Sequence, residues 1–175
     1  MAAPSSRNEQ PEFDDSSLHE LAAAVGRHLL VAGRRAVTIE SCTGGYLAKL
    51  CTDIAGSSRW FESGYVTYSN SAKERDVGVQ PLTLEKHGAV SEATVVEMAR
   101  GALFRTHADV ALAISGVAGP DGGTERTPVG TVWFAQLWRE GDGLRNRAAR
   151  ELFAGDRDAV RRQAVAHALQ MLLAN

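Results

Sequence analysis

The sequence has few cysteines, few aromatic residues and no long apolar run, and each scarcity excludes a class of protein. Two cysteines, Cys42 and Cys51, occur in 175 residues, and their positions match neither a disulfide framework nor a zinc knuckle. We therefore interpret both as reduced thiols. No run approaches the ~20 apolar residues that a transmembrane helix requires, and residues 1–14 lack the hydrophobic stretch of a secretion signal. We expect a cytoplasmic protein with no membrane partner.

The chain also lacks an excess of charge of either sign. Lys and Arg number 19 and Asp and Glu number 21, which gives a formal net charge of −2. The basic surplus that is typical of nucleic-acid-binding domains is missing, so nucleic acid is not an expected partner. An apolar fraction of 44% and 17 glycines in 175 residues are typical of one α/β domain with many tight turns.

Hydrophobic periodicity predicts that helices alternate with strands after a polar beginning. Residues 1–14 have two prolines and no periodicity, which predicts a disordered tail. The domain then covers residues 15–175, and its first helix has capping-box spacing between Ser17 and Glu20. Because helices alternate with strands and a hairpin follows, we predict a three-layer αβα sandwich with a mixed central sheet. The predicted strands cover residues 35–40, 60–68, 109–114, 129–138 and 144–153.

Three polar loops follow three of the predicted strands, at residues 41–45, 69–73 and 115–124. Loops beyond the strand ends of an open α/β sheet gather at one edge and form the ligand crevice. If these loops converge, the crevice contains hydroxyls, a lysine, a tyrosine and backbone amides, but no obvious metal cluster. We therefore expect neither a metal nor a cofactor.

The first loop joins a strand directly to a helix and begins with Ser41. The amides of Cys42, Thr43, Gly44 and Gly45 would lie at the positive end of the helix dipole, where a phosphate, a carboxylate or an oxyanion binds. A simpler interpretation is that Ser41 or Thr43 only caps the helix.

Lys73 ends the second loop and is the candidate base. A lysine kept away from water loses proton affinity, and it can then take the proton of a serine such as Ser41. The simpler interpretation is a solvated lysine on a short helix that Asn70 or Ser71 caps.

The third loop has the glycine content of a phosphate cradle. Gly116, Gly119, Gly122 and Gly123 permit close backbone approach and Thr124 adds a hydroxyl, although neither nucleotide-loop motif is matched. A turn-rich connection explains the glycines equally well.

Cys42 is a second candidate nucleophile, because a nearby helix N-terminus lowers a thiol pKa. However, none of the five histidines lies in a glycine-rich loop, where it would be needed as a partner.

Four motifs together carry a resemblance to a known family. They are ESCTGG at residues 40–45, GYVTYSNSAK at 64–73, SGVAGPDGGT at 115–124 and PVGTV at 128–132. In this order they resemble the CinA C-terminal domain family, from about Leu18 to the C-terminus. The resemblance implies hydrolysis of the carboxamide of nicotinamide mononucleotide to nicotinate mononucleotide and ammonia, without a metal.

The resemblance also implies roles for individual residues. Ser41 would be the nucleophile and Lys73 its general base, while Tyr68 would orient groups or relay a proton. Amides after Ser41 would bind the oxyanion, and the third loop would hold the ribose and the 5′-phosphate. The residues expected at the oxyanion or the substrate are Cys42, Thr43, Gly44, Gly45, Asn70, Ser115, Gly116, Gly119, Gly122, Gly123 and Thr124.

One departure and two alternatives accompany this hypothesis. Family members often carry a lysine before the proline of the fourth motif, where this chain has Thr127; the adjacent Arg126 would have to replace it, or affinity would fall. The alternatives are a non-catalytic nucleotide-binding or regulatory module, and an amidase for another small carboxamide. A homodimer is the expected assembly.

Overall fold

A computed structural model describes residues 13–174. The predicted tail therefore lies outside the described residues, except for its last two. Phe13 packs against the core and Asp14 caps the first helix by accepting from the Ser17 amide at 2.8 Å. The predicted Ser17–Glu20 capping box is wrong, because Asp14 already satisfies the amide at this helix start.

The centre of the fold is a five-stranded mixed sheet with the order β2-β1-β3-β4-β5. β1 pairs in parallel with both β2 and β3, whereas β3, β4 and β5 form an antiparallel meander. The predicted mixed sheet is therefore confirmed. The strands are β1 Ala36–Glu40, β2 Phe61–Val66, β3 Val110–Gly116, β4 Thr131–Glu140 and β5 Gly143–Leu152.

Within residues 13–174, six α-helices cover the two faces of the sheet. α1, α2 and α6 bury Leu18, Leu47 and Leu169 in one core, and α3, α4 and α5 bury residues such as Val77 and Met98 in the other. The predicted three-layer sandwich is confirmed. No helix of the described residues is long and apolar enough to cross a membrane. The helices are α1 Asp15–Ala32, α2 Tyr46–Thr52, α3 Asn70–Val77, α4 Pro81–His87, α5 Glu92–Arg105 and α6 Arg157–Leu173.

The strand bounds differ from the sequence prediction by one or two residues at every end except the end of β1, and the ends of β2 and β3 precede two of the candidate loops. β2 ends at Val66, opposite Glu40 at the end of β1, and the Thr67 amide makes one further hydrogen bond, to the Glu40 carbonyl at 2.9 Å. β3 instead continues through Gly116, which pairs with Val132 of β4. The three parallel strands end at one edge of the sheet, so the loops after them emerge side by side, as predicted.

Gly101 sets the distance between α5 and α3, the helix that carries Lys73. A Cβ atom at Gly101 would lie 1.6 Å from the Val77 carbonyl oxygen. Alanine has the better helix propensity by about 1 kcal/mol, but a clash with backbone cannot be relieved by rotating a side chain. We expect Gly101→Ala to lower the free energy of unfolding by about 1–3 kcal/mol in urea titration. The exposed neighbour variant Arg100→Ala should change it by less than about 0.5 kcal/mol, and equal stability of the two variants would contradict the clash.

Candidate active site

Ser41 is held at the sheet edge by the strand that precedes it. Its amide donates to the Ile114 carbonyl at 3.0 Å, which extends the pairing of β1 with β3 by one residue. The N-cap of α2 is Gly45, which has no side-chain cap. The interpretation that Ser41 or Thr43 only caps this helix is therefore wrong, and the Ser41 hydroxyl is available for another role.

Glu40 occupies the anion-binding position that the sequence suggested for a ligand. This carboxylate is fully buried and accepts from the amides of Gly45 at 3.1 Å, Leu47 at 3.0 Å and Ala48 at 2.8 Å. These are amides that a helix start leaves without an internal partner. The chain therefore neutralises the N-terminus of α2 with its own carboxylate, which also fixes the loop that follows Ser41.

The oxyanion donors expected from the sequence must be corrected accordingly. The Gly44 amide donates to the Ser41 carbonyl at 3.0 Å, and the Gly45 amide donates to Glu40. Positive φ angles of 60° at Gly44 and 93° at Gly45 allow this tight turn, which explains both glycines. The amides of Cys42 and Thr43 donate to no other residue in the described part of the chain, so they remain the candidates.

Lys73 lies in the second turn of α3 and is directed toward Ser41. Its Nζ lies 3.1 Å from the Ser41 Oγ and 2.8 Å from the Thr67 carbonyl oxygen, and the residue is 1% exposed. The interpretation as a solvated lysine is therefore wrong. The cap of α3 is Ser69, which accepts from the Ala72 amide at 3.1 Å, rather than Asn70 or Ser71.

The electrostatic surroundings of Lys73 favour its neutral form. Burial lowers the pKa of its ammonium group below the ordinary value of 10.5, with a smaller opposing effect of Cys42. Its two hydrogen-bond partners, a hydroxyl and a carbonyl, carry no charge that would hold the proton. A neutral amine at hydrogen-bond distance from a serine hydroxyl is an arrangement that can activate a nucleophile.

The pKa of the Cys42 thiol shifts in the opposite direction. Burial raises the pKa of Cys42 to about 11, because desolvation outweighs every favourable charge near it. The expected lowering of this pKa at the helix start is therefore wrong. Since the thiolate is the reactive form, Cys42 is a poor alternative to Ser41.

Tyr68 belongs to the same edge, but it contacts neither member of the Ser41–Lys73 pair through a hydrogen bond in the described residues. Its side chain lies at the surface, and its hydroxyl accepts from Arg157 at 2.9 Å. Arg157 also donates to the Gly119 carbonyl at 2.7 Å. Arg157, the first residue of α6, thus links Tyr68, which precedes the second loop, to the third loop. The sequence did not reveal this role.

The start of α6 reaches the first loop through a second arginine. Arg161 donates to the Thr43 carbonyl at 2.9 Å and lies over the ring of Tyr46. All three loops therefore converge where α6 begins, as the strand order predicts. Within residues 13–174, no group of three His, Cys, Asp or Glu side chains is placed to hold a metal ion.

The first part of the third loop is engaged with the chain itself. Ser115 is buried, and its hydroxyl donates to the Ala89 carbonyl at 2.7 Å. Gly116 belongs to β3, where a Cβ atom would lie 2.7 Å from the Thr131 carbonyl oxygen. The Ser115 hydroxyl proton is therefore used within the chain, and close packing against β4 explains Gly116; contact of these two residues with the substrate stays a prediction.

Close packing also explains two further glycines of this loop. A Cβ atom at Gly119 would lie 2.6 Å from a Val129 methyl group, and one at Gly123 would lie 2.8 Å from the Val129 amide. Gly122 and Thr124 are exposed, and the Thr124 hydroxyl lies 2.8 Å from that of Thr127. The loop is therefore folded upon itself rather than open as a cradle.

Comparison with known proteins identifies the family. The sequence model described as the CinA C-terminal domain matches residues 18–175. The chain belongs to the CinA C-terminal domain family.

Relatives named as enzymes lie within this family. The chain is 60% identical over 158 residues to the nicotinamide-nucleotide amidohydrolase PncC of Escherichia coli strain K12. This match covers 90% of this chain and 94% of that protein. It is 52% identical to the protein of the same name from Enterobacter agglomerans, with 92% and 96% covered. The crystal structure of the competence damage-inducible protein A from Klebsiella pneumoniae superposes with a TM-score of 0.85 at 44% identity, with 90% and 96% covered.

The region matched to the CinA C-terminal domain contains all of the site described above. Its fold in this chain brings Ser41 and Lys73 together across 32 positions of sequence. It also places Arg126 and Thr127 in the lining of a separate cavity.

Proposed function

We propose that this member of the CinA C-terminal domain family hydrolyses the carboxamide of nicotinamide mononucleotide to nicotinate mononucleotide and ammonia. The observation that carries the proposal is the 3.1 Å distance between the Lys73 Nζ and the Ser41 Oγ. The names of two relatives support the choice of substrate, and the match with this chain covers more than nine-tenths of the length of each.

The reaction begins with the neutral amine of Lys73. The Ser41 Oγ attacks the carbonyl carbon of the carboxamide and its proton passes to the Lys73 Nζ. The carbonyl oxygen becomes an oxyanion, which the free amides of Cys42 and Thr43 can stabilise; losing one such donor typically costs about 3–4 kcal/mol. The C–N bond then breaks as Nζ returns the proton to the leaving nitrogen, which departs as ammonia.

A water molecule completes the cycle. Lys73 takes a proton from this water, whose oxygen attacks the ester carbon of the acyl-enzyme. The bond to Oγ breaks and the proton returns to Ser41, which releases nicotinate mononucleotide. Throughout these steps Lys73 acts as an acid and a base, and no metal or cofactor is involved.

Other residues of the edge have proposed roles around the substrate. Tyr68 is proposed to orient the substrate or relay a proton, with Arg157 holding its hydroxyl. The exposed residues Asn70, Gly122 and Thr124 remain proposed substrate contacts. A homodimer stays a prediction from the sequence.

A direct assay tests the proposal. Purified protein incubated with nicotinamide mononucleotide should release ammonia and nicotinate mononucleotide in equal amounts, and the rate should be unchanged by a chelator. Saturable binding without product would favour the nucleotide-binding module instead. Turnover of other small carboxamides with no turnover of the mononucleotide would favour the second alternative.

A further inference from the structure

A cavity of about 400 Å³ is lined by neither Ser41 nor Lys73. The end of α4, the start of α5, the third loop and parts of β4 and β5 enclose it. Its charged wall consists of Lys86, Arg126 and Arg150, with His87 next to Lys86. Such a concave site with convergent polar groups is of a size that suits a small molecule.

The charges of this cavity are not compensated by the chain. No Asp or Glu of the described residues lines it. Lys86, Arg126 and Arg150 form no ion pair among residues 13–174, whereas Arg145, near the start of the same β5 strand, pairs with Glu140 at 2.8 Å. Cations gathered in a concave site without counter-charges attract an anion, since an anion relieves their mutual repulsion.

The remaining wall contributes groups that suit a phosphate ester. Thr127 and Ser91 supply hydroxyl groups, and Trp133 supplies a half-buried aromatic ring. Arginine forks donate two parallel hydrogen bonds to phosphate oxygens. Arg150 is steadied toward the loop because it donates to the Arg126 carbonyl at 3.2 Å.

The position of the cavity relates it to the nucleophile. Ser41 follows β1, whereas Trp133 and Arg150 lie on β4 and β5, two and three strands away in the sheet. Neighbouring strands are about 4.8 Å apart, so the lateral separation is on the order of 10–14 Å. The bond from Ser115 to Ala89 ties the α4–α5 connection to the same edge of the sheet. A molecule lying along this edge can present one end to Ser41 and the other to the cavity.

We propose that this cationic cavity binds the 5′-phosphate of the mononucleotide substrate, with Arg126 and Arg150 as its principal donors. The assignment rests on the proposed function and moves the phosphate from the glycine-rich part of the third loop to the cavity beyond it. It also gives a role to Arg126, whose guanidinium binds the phosphate next to Thr127.

The test removes both arginine charges and leaves the catalytic pair intact. In Arg126→Gln/Arg150→Gln the KM for nicotinamide mononucleotide should rise about 10- to 100-fold, because charge-assisted hydrogen bonds are lost. The kcat should remain within about threefold, and inorganic phosphate should cease to be a competitive inhibitor. Hydrolysis of the dephosphorylated nucleoside should be unaffected by the substitutions.

A control and two opposite results define the outcome. Arg59→Gln/Arg145→Gln removes the same number of charges from exposed positions outside the cavity, and it should behave as wild type. An unchanged KM and phosphate inhibition constant in the cavity variant would overturn the assignment. Equal losses for the nucleoside and the mononucleotide would overturn it too, since the effect would then not depend on the phosphate.

A binding measurement separates this proposal from the proposed function. Inorganic phosphate should change the fluorescence of Trp133 saturably in wild type but not in the double variant, with Trp133→Phe identifying the signal. This result would support the anion site even if the mononucleotide were not hydrolysed. No phosphate binding in wild type, or phosphate that binds without competing with the mononucleotide, would overturn the assignment.

Discussion

Replacing Ser41 with alanine is expected to lower kcat for nicotinamide mononucleotide by about 10³-fold or more, since loss of a serine nucleophile has effects of this size or larger. The variant keeps the Cβ atom and the hydrogen bond from its backbone amide to the Ile114 carbonyl, so the loop should retain its shape. KM should change little, because the hydroxyl acts mainly in the transition state. Ammonia release under substrate saturation measures the loss.

Cys42→Ala is the matched control for this variant. The substitution is adjacent to Ser41 and removes a thiol whose pKa burial raises to about 11. It leaves the Cys42 amide in place, so activity should stay within about threefold of wild type if the thiol has no chemical role. The opposite pattern, with Ser41→Ala active and Cys42→Ala inactive, would reassign the nucleophile. Added hydroxylamine should intercept the acyl ester as a hydroxamate in Cys42→Ala but not in Ser41→Ala.

The convergence of Ser41 and Lys73 could be predicted from the sequence because it depends on strand order. β1 and β2 are β-branched or aromatic segments followed by short polar loops, and parallel neighbours place such loops at the same edge. The burial of Lys73 accompanies its contacts with the Ser41 hydroxyl and the Thr67 carbonyl, and local periodicity does not reveal it. The motifs suggested that Ser41 and Lys73 act together, and the tertiary contacts bring the Ser41 Oγ and the Lys73 Nζ to 3.1 Å.

Glu40 shows why the oxyanion donors were predicted only in part. In the sequence it is the last residue of a β-branched strand, and nothing local indicates that its side chain turns back to the start of α2. The three hydrogen bonds that its carboxylate accepts from backbone amides span five to eight positions and depend on the turn at Gly44 and Gly45. A helix start attracts an anion in general, but the sequence could not tell that the anion belongs to the chain.

The long-range arginine contacts were beyond sequence reasoning for a different reason. Arg157 meets Tyr68 across 89 positions, and Arg150 meets the Arg126 carbonyl across 24. Arginines on a solvent-facing strand or at a helix start are usually solvated. Only the antiparallel return of β5 and the docking of α6 bring these side chains to the loops.

Replacing Lys73 is expected to reduce kcat by about 10²–10⁴-fold, the range for loss of a general base. Two substitutions separate its possible contributions. Lys73→Met removes the amine and keeps an unbranched side chain, whereas Lys73→Arg retains a cation but remains protonated at all accessible pH values. If Lys73 acts as the base, both variants should show this loss. Substantial activity in Lys73→Arg would instead assign an electrostatic role to the positive charge.

The pH dependence of wild type follows from the direction of the pKa shift. Burial lowers the pKa of Lys73 below 10.5, so a larger fraction of the amine is neutral near pH 8 than in free lysine. The kcat should rise with pH and reach a plateau above the lowered pKa, at a pH below 10.5. Lys73→Arg should lack this inflection.

The same shift makes Lys73 a cost to stability at neutral pH and thereby supplies a check that is independent of activity. The unfolded chain binds the lysine proton up to its ordinary pKa of 10.5, whereas the native state releases it at the lowered pKa. Stability rises with pH wherever the unfolded state holds more protons. The free energy of unfolding of wild type should therefore increase relative to Lys73→Met as the pH rises from the lowered pKa to 10.5. A constant difference over this range would show that Lys73 is not held neutral by burial, and the base mechanism would lose its physical basis.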